Sequence, residues 1–106
     1  MINCSLCETN EVIIIRNNLN IKTIRSIDRA CKILDSFTID KPNLKLNEIV
    51  NKTGLNRSTV YRILYTLELN GIVKYDQDNK YYTLGIKIFE LGGVYSSNYE
   101  EKRVIN

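Results

Sequence analysis

Apolar residues recur at helical spacing over residues 23–37, where Ile24, Ile27, Cys31 and Leu34 form one row and Ala30 and Phe37 widen it. Arg25, Asp28, Arg29, Lys32 and Asp35 take the other side, which predicts an amphipathic helix with Cys31 in the core. Asp40-Lys41-Pro42-Asn43 then breaks the period. Leu44-Lys45-Leu46 is predicted to form a short strand, after which Asn47 is placed to cap a helix over residues 48–53. Gly54 supplies a left-handed residue that ends this helix, Leu55 points inward, and the side-chain oxygen of Asn56 caps the next helix.

That next helix carries Val60, Ile63, Leu64 and Leu67 on one face. It stops at Asn70-Gly71-Ile72, where the glycine takes the left-handed position and Ile72 packs back on the last turn. Val73–Asp76 and residues 80–84 alternate as strands around the polar tip Gln77-Asp78-Asn79. Gly85 opens a last helix over residues 86 to about 95, with Ile86, Phe89, and Leu91 or Gly93 on its apolar side; the charged residues 96–106 are able to continue it. The order of helix, short strand, helix, turn, helix, strand, strand, helix is that of a winged helix-turn-helix, a mainly α fold with a small β-hairpin wing. Residues 1–20 fit this pattern poorly. Asn17-Asn18-Leu19-Asn20 reads as a linker, and residues 11–16 as a short strand or extended arm. The chain divides into an arm over residues 1–20, a winged domain over 21–85, and a linker or dimerisation helix with its tail over 86–106.

At about 100° per residue, the buried stripe of the second-last helix centres near Val60. Ser58, Arg62, Tyr65 and Leu69 then lie nearly opposite, Tyr61 and Thr59 flank them, and Arg57 sits at the exposed first turn. This is suitable chemistry for the major groove of duplex DNA. Arg donates bidentate pairs to guanine, Ser and Thr bond base edges or phosphates, and Tyr reaches phosphates or thymine methyls. The free amides of a helix start favour phosphate as well. A solvated face explains the same helix in isolation; the tight turn before it and the hairpin after it favour DNA. In the wing, Lys74 and Lys80 are placed to meet phosphate and Asn79 to reach toward a minor groove. A hairpin that only closes the core fits equally, because Asp76 and Asp78 repel phosphate. Tyr75, Tyr81 and Tyr82 are expected to divide between core and rim. The predicted DNA-binding set is therefore Asn56, Arg57, Ser58, Thr59, Tyr61, Arg62, Tyr65, Lys74, Asn79 and Lys80.

Several motifs occur together in this order. Ser26-Ile27-Asp28-Arg29-Ala30 leads to Ile33-Leu34-Asp35 and then to Leu46-Asn47-Glu48-Ile49. Thr53-Gly54-Leu55-Asn56-Arg57-Ser58-Thr59-Val60-Tyr61-Arg62-Ile63-Leu64 continues through Thr66-Leu67 and Asn70-Gly71-Ile72-Val73 to Tyr82-Thr83-Leu84-Gly85 and Leu91-Gly92. Taken together they resemble the DNA-binding domain of the IclR family of transcriptional regulators. The resemblance implies a repressor or activator that binds a palindromic operator as a dimer or a dimer of dimers. Family members usually continue into a second, ligand-sensing domain. This sequence departs there, ending at Asn106 within or just past the last helix, and reads as an excised domain or a natural short form. A small-molecule effector is expected only where such a sensing domain is present in a longer protein. One short helix reads few base pairs and two half-sites multiply the specificity, so a homodimer is expected, with the first and last helices as contact surfaces.

Charge and composition sharpen this picture modestly. The net charge is +3, yet residues 21–75 hold ten Lys/Arg against five Asp/Glu, a basic centre that suits a nucleic-acid footprint. Cys4 and Cys7 form at best half of a zinc pattern, and no thioredoxin-like strand and helix surround them, so neither metal nor redox pair is expected. With no His, no phosphate-cradling Gly loop and isolated acids such as Glu48, Glu68 and Glu90, the chain is expected to be neither an enzyme nor a cofactor carrier. The opening residues lack the pattern of a signal peptide and residues 12–15 are the longest purely aliphatic run, which reads as cytoplasmic and without a membrane partner. The rival function is a winged helix that binds protein through Tyr65 and Leu69. The polar centre formed by Arg57, Ser58, Thr59 and Arg62 favours DNA, since a protein interface is more apolar at its core. Deleting residues 1–20 is expected to leave a cooperative thermal transition in place, checked by circular dichroism; loss of the transition would show that the arm belongs to the fold.

Overall fold

A computed structural model of the chain describes residues 21–105, and the surroundings of side chains over residues 21–98. Helix α1 (Arg25–Asp35) is followed by α2 (Leu46–Thr53) and α3 (Arg57–Leu69). Strands β1 (Val73–Asp76) and β2 (Tyr81–Leu84) form an antiparallel hairpin, and α4 (Ile86–Ile105) closes the order. The fold is a winged helix-turn-helix, as the sequence pattern predicts. Its core is one cluster with a contribution from each element up to β2: Ile33, Ile49, Val60, Leu64, Val73 and Tyr82, joined by Phe37 and Leu44 from the connection after α1. None of the buried residues comes from the described part of α4.

The first helix is rotated from its expected phase. Ile24 and Ile27 are 63% and 58% exposed, and the Cys31 thiol is exposed rather than in the core. The buried side is Ala30, Ile33, Leu34 and Phe37, which packs on the shared cluster. Both rows have helical spacing, and the neighbouring helices choose between them. The last helix differs in the same way: Ile86, Phe89 and Leu91 are all exposed, and the helix runs through the charged residues to Ile105. Asn47 does not cap α2. The helix begins two residues earlier than expected, at Leu46, and the Glu48 carboxylate accepts from the Lys45 backbone N–H at 2.8 Å. Paired with Lys41 as well, Glu48 is held below the ordinary carboxylate range, first by that side-chain bond and then by the backbone one. The expected strand at Leu44 is reduced to a single bridge, with Leu44 and Tyr82 exchanging backbone hydrogen bonds of 3.0 and 2.7 Å. Lys80 lies in the turn and not in β2, at φ 63°.

The helix ends follow their signals. Gly54 sits at φ 71°, where a side chain would be strained, and its N–H donates to Val50 at 2.9 Å. After α3, the Gly71 N–H donates to the Glu68 carbonyl at 3.0 Å and the Ile72 N–H to the Leu67 carbonyl at 2.9 Å. These two bonds make a complete Schellman ending, and Ile72 packs on the core behind it. Gly85 is fixed by a close approach: an added Cβ would lie 2.2 Å from the Gly71 carbonyl oxygen, while its own N–H donates to Ile72 at 2.7 Å. Gly85→Ala must therefore push the hairpin base away from the end of α3. It is expected to lower stability by about 2 kcal/mol or more, in the range of overpacking and backbone strain. Gly92→Ala, where a Cβ meets nothing within 4 Å, serves as the control and is expected to be neutral or slightly stabilising in the same urea titrations.

Candidate nucleic-acid interface

The rotation of α3 follows from its two faces. Val60 and Leu64 are wholly buried, and Leu67 nearly so, while Ile63 is half-buried against the same cluster. Arg57, Ser58 and Arg62 are exposed on the other side, together with Tyr61 at 54% and Tyr65 at 56%. Thr59 is half-buried and faces toward α1. The Asn56 side chain caps the helix as expected: its Oδ1 accepts from the Ser58 backbone N–H at 3.0 Å and from the Ser58 hydroxyl at 2.9 Å. No acidic residue lies in the first turn. The start of α3 therefore combines amides pointing outward, a positive dipole end and the Arg57 guanidinium. A cation there opposes the helix dipole by about 0.3–1 kcal/mol, a local cost that makes sense where an anion is to be met.

Arg57 is not free to wander. Its guanidinium donates to Asn47 Oδ1 on α2, which ties the first residue of α3 across the turn to the preceding helix. Sequence reasoning assigned Asn47 a cap and missed this role, since the two residues share no local period. A hydrogen bond between side chains on different helices leaves no signal in spacing.

The wing carries Lys74 on β1 and Lys80 in the turn, both exposed. Asn79 is exposed too, but its side-chain amide donates to the Asp76 carboxylate at 3.1 Å. Asp76 also accepts the backbone N–H groups of Asp78 at 2.9 Å and Asn79 at 3.2 Å. These bonds, those from Asn79 foremost, hold the Asp76 carboxyl below its ordinary range. Its charge is thereby directed into the wing tip. Tyr82 is buried, whereas Tyr75 and Tyr81 are half-buried, the expected division between core and rim. The Tyr75 and Tyr82 rings stack at 4.7 Å with a 49° tilt. Burial raises the Tyr82 phenol above its usual value, helped by Tyr61, Tyr75 and Glu68. Between α3 and the wing these tyrosines line a cleft of about 370 Å³ with Tyr65, Glu68 and Lys80. The structure thus gathers Asn56, Arg57, Ser58, Tyr61, Arg62 and Tyr65 on one helix start and face, with Lys80 across the cleft from the tyrosines.

Comparison with known proteins places this geometry among relatives. A family pattern described as the IclR helix-turn-helix domain matches residues 26–77. The HTH-type transcriptional regulator XynR of Escherichia coli is 39% identical over 69 residues, which cover 65% of this chain and 27% of that protein. The Pca operon regulatory protein of Acinetobacter baylyi is 35% identical over 88 residues, covering 77% of this chain and 31% of that protein. Among solved structures, an IclR family transcriptional regulator from Brucella abortus matches with a TM-score of 0.65 and 33% identity, over 69% of this chain and 28% of its own. The chain spans about three-tenths of the length of these relatives.

Removing the cap at the start of α3 tests how much that turn contributes. Asn56→Ala is expected to lower stability by about 1 kcal/mol, whereas Asn56→Asp, which keeps an acceptor at the same place, is expected to retain most of it. Urea midpoints at constant slope check both; equal losses in the two variants would show that the cap does not hold the helix start.

Proposed function

The chain carries a winged DNA-binding domain of the IclR family of transcriptional regulators, and on that premise we propose that it recognises a palindromic operator in duplex DNA as a homodimer. The observation that carries this reading is the outward face of α3. It is polar and basic at the capped helix start, with the opposite face sealed in the core. In this reading Arg57, Ser58 and Tyr61 meet base edges, while Arg62 and Tyr65 reach base edges or the phosphates that line the groove. Thr59 lies at the flank of the same helix. From the wing, Lys74 and Lys80 touch phosphate, and Asn79 approaches the minor groove only by releasing Asp76.

Two further features support pairing of two chains. At the start and along one side of α1, Ile24, Ile27 and Cys31 present an apolar row to solvent, and on α4 the apolar residues Ile86, Phe89, Leu91 and Val94 are exposed. Apolar surface of that kind on two helices is suited to a subunit contact. Among the described residues no helix is long and apolar enough to cross a membrane. A small-molecule effector enters this reading only where a sensing domain is present in a longer protein.

Selection from a random pool of duplexes is expected to enrich an inverted repeat, with two chains per duplex by mass measurement and affinity falling steeply with salt. A selected site without two-fold symmetry, bound by a single chain, would overturn the homodimer and the palindrome. Failure to enrich any sequence would overturn sequence-specific recognition itself.

A further inference from the structure

On the side of α3 away from the tyrosine cleft, α1 and α3 enclose a second cleft of about 430 Å³. Its polar lining is Ser26 and Arg29 from α1 and Thr59, Arg62 and Thr66 from α3; aliphatic side chains form the rest. Two arginines therefore border one cleft, and no carboxylate among the described residues lines it. The ion pairs among the described residues, Lys41 with Glu48 and Lys87 with Glu90, involve neither arginine. The Arg29 and Arg62 side chains make no hydrogen bond to any described residue, and neither do the hydroxyls of Ser26 and Thr59. The Thr66 hydroxyl is already engaged, donating to the Arg62 carbonyl at 2.9 Å. Arg29 also borders a separate hollow along α1, lined in part by Asp28 and Asp35, and forms an ion pair with neither acid.

Two arginines that border one cleft, neither held in an ion pair, suit an anion. The donors here are suited to one kind in particular, because planar guanidinium forks and small hydroxyls match the tetrahedral oxygens of a phosphate. The position is equally telling. A helix lying in the major groove has base edges beneath its centre and a phosphate backbone along each flank. The cleft lies on a flank. Resting on the reading of α3 as a DNA-recognition helix, we infer that Arg29 and Arg62, with the Ser26 and Thr59 hydroxyls, seat a backbone phosphate of the bound duplex. Arg29, on the first helix, is thus a DNA contact outside the helix-turn-helix, and Arg62 is a positioning contact. Discrimination between bases then falls to Arg57, Ser58, Tyr61 and Tyr65.

Salt titrations of the full chain on its selected duplex and on a scrambled one test this seat. Arg29→Gln keeps the aliphatic stem in the cleft and removes the charge. It is expected to flatten the dependence of log affinity on log salt by about one unit on both duplexes. The ratio of selected to scrambled affinity should stay at its wild-type value. Arg29→Lys restores a charge and should restore the slope, which a purely structural role would not do. Arg62→Gln should behave as Arg29→Gln, whereas Arg57→Gln should lower the ratio. A wild-type slope in Arg29→Gln, with wild-type chain still preferring the selected duplex, would overturn the seat and leave DNA recognition standing. Absence of salt-dependent binding in the wild-type chain would overturn the recognition reading and the seat with it. Inorganic phosphate added at constant ionic strength is expected not to displace the duplex. Displacement that Arg29→Gln abolishes would assign the cleft to a free anion and overturn the duplex assignment.

Discussion

Val60 and Leu64 lie wholly out of solvent in one cluster with Ile33, Ile49 and Val73, and their burial fixes how α3 is turned. Each buried aliphatic side chain contributes about 1.5–3 kcal/mol. A turn of α3 by one residue would expose these side chains and drive Tyr61 or an unpaired arginine into the cluster, at a cost of several kcal/mol more. The terminal caps contribute about 1 kcal/mol each, too little to decide rotation against such terms. They decide something else. The Asn56 cap and the Gly54 turn set where α3 starts, and with it which residues stand at the exposed first turn. Core packing selects the face, and turn chemistry selects the register along it.

The wing is coupled to the same helix from behind. The Schellman ending of α3 places the Gly71 carbonyl against Gly85, and the N–H of Lys87 at the start of α4 donates to that carbonyl at 3.1 Å. At the other edge of the hairpin, Leu44 and Tyr82 exchange two backbone bonds, which joins β2 to the chain entering α2. Helix end, hairpin base and last helix are thereby tied to one another. The tip is held separately by Asp76. Within it Lys80 keeps a left-handed backbone that costs a non-glycine residue about 1–2 kcal/mol. Broken local rules of this kind gather at functional sites, and both Lys80 and Arg57 stand at the proposed DNA contact.

Much of this was legible in the chain because glycine and asparagine act through the backbone alone. Gly54, Asn56 and Gly71 need no partner beyond their own neighbours, so the turn and both ends around α3 could be read locally, and the wing followed from apolar runs around a polar tip, with Lys80 misplaced from the turn into the strand. The phase of α1 could not. Its apolar residues form two rows, and which one is buried depends on what α2 and α3 present, not on α1 itself. The exposed row of Ile24, Ile27 and Cys31 takes no part in the core. The same limit hid the bond from Arg57 to Asn47 and the cleft that Arg29 and Arg62 both border, since each involves residues on different helices.

The central claim is that the outward face of α3 is the surface DNA meets. Amide chemical shifts followed by NMR during titration with the selected duplex test it most directly. The largest changes should fall on Asn56 through Tyr65, with smaller ones on Ser26, Arg29 and the wing. Changes concentrated on Ile24, Ile27, Cys31 and the exposed side of α4, with α3 unmoved, would contradict it.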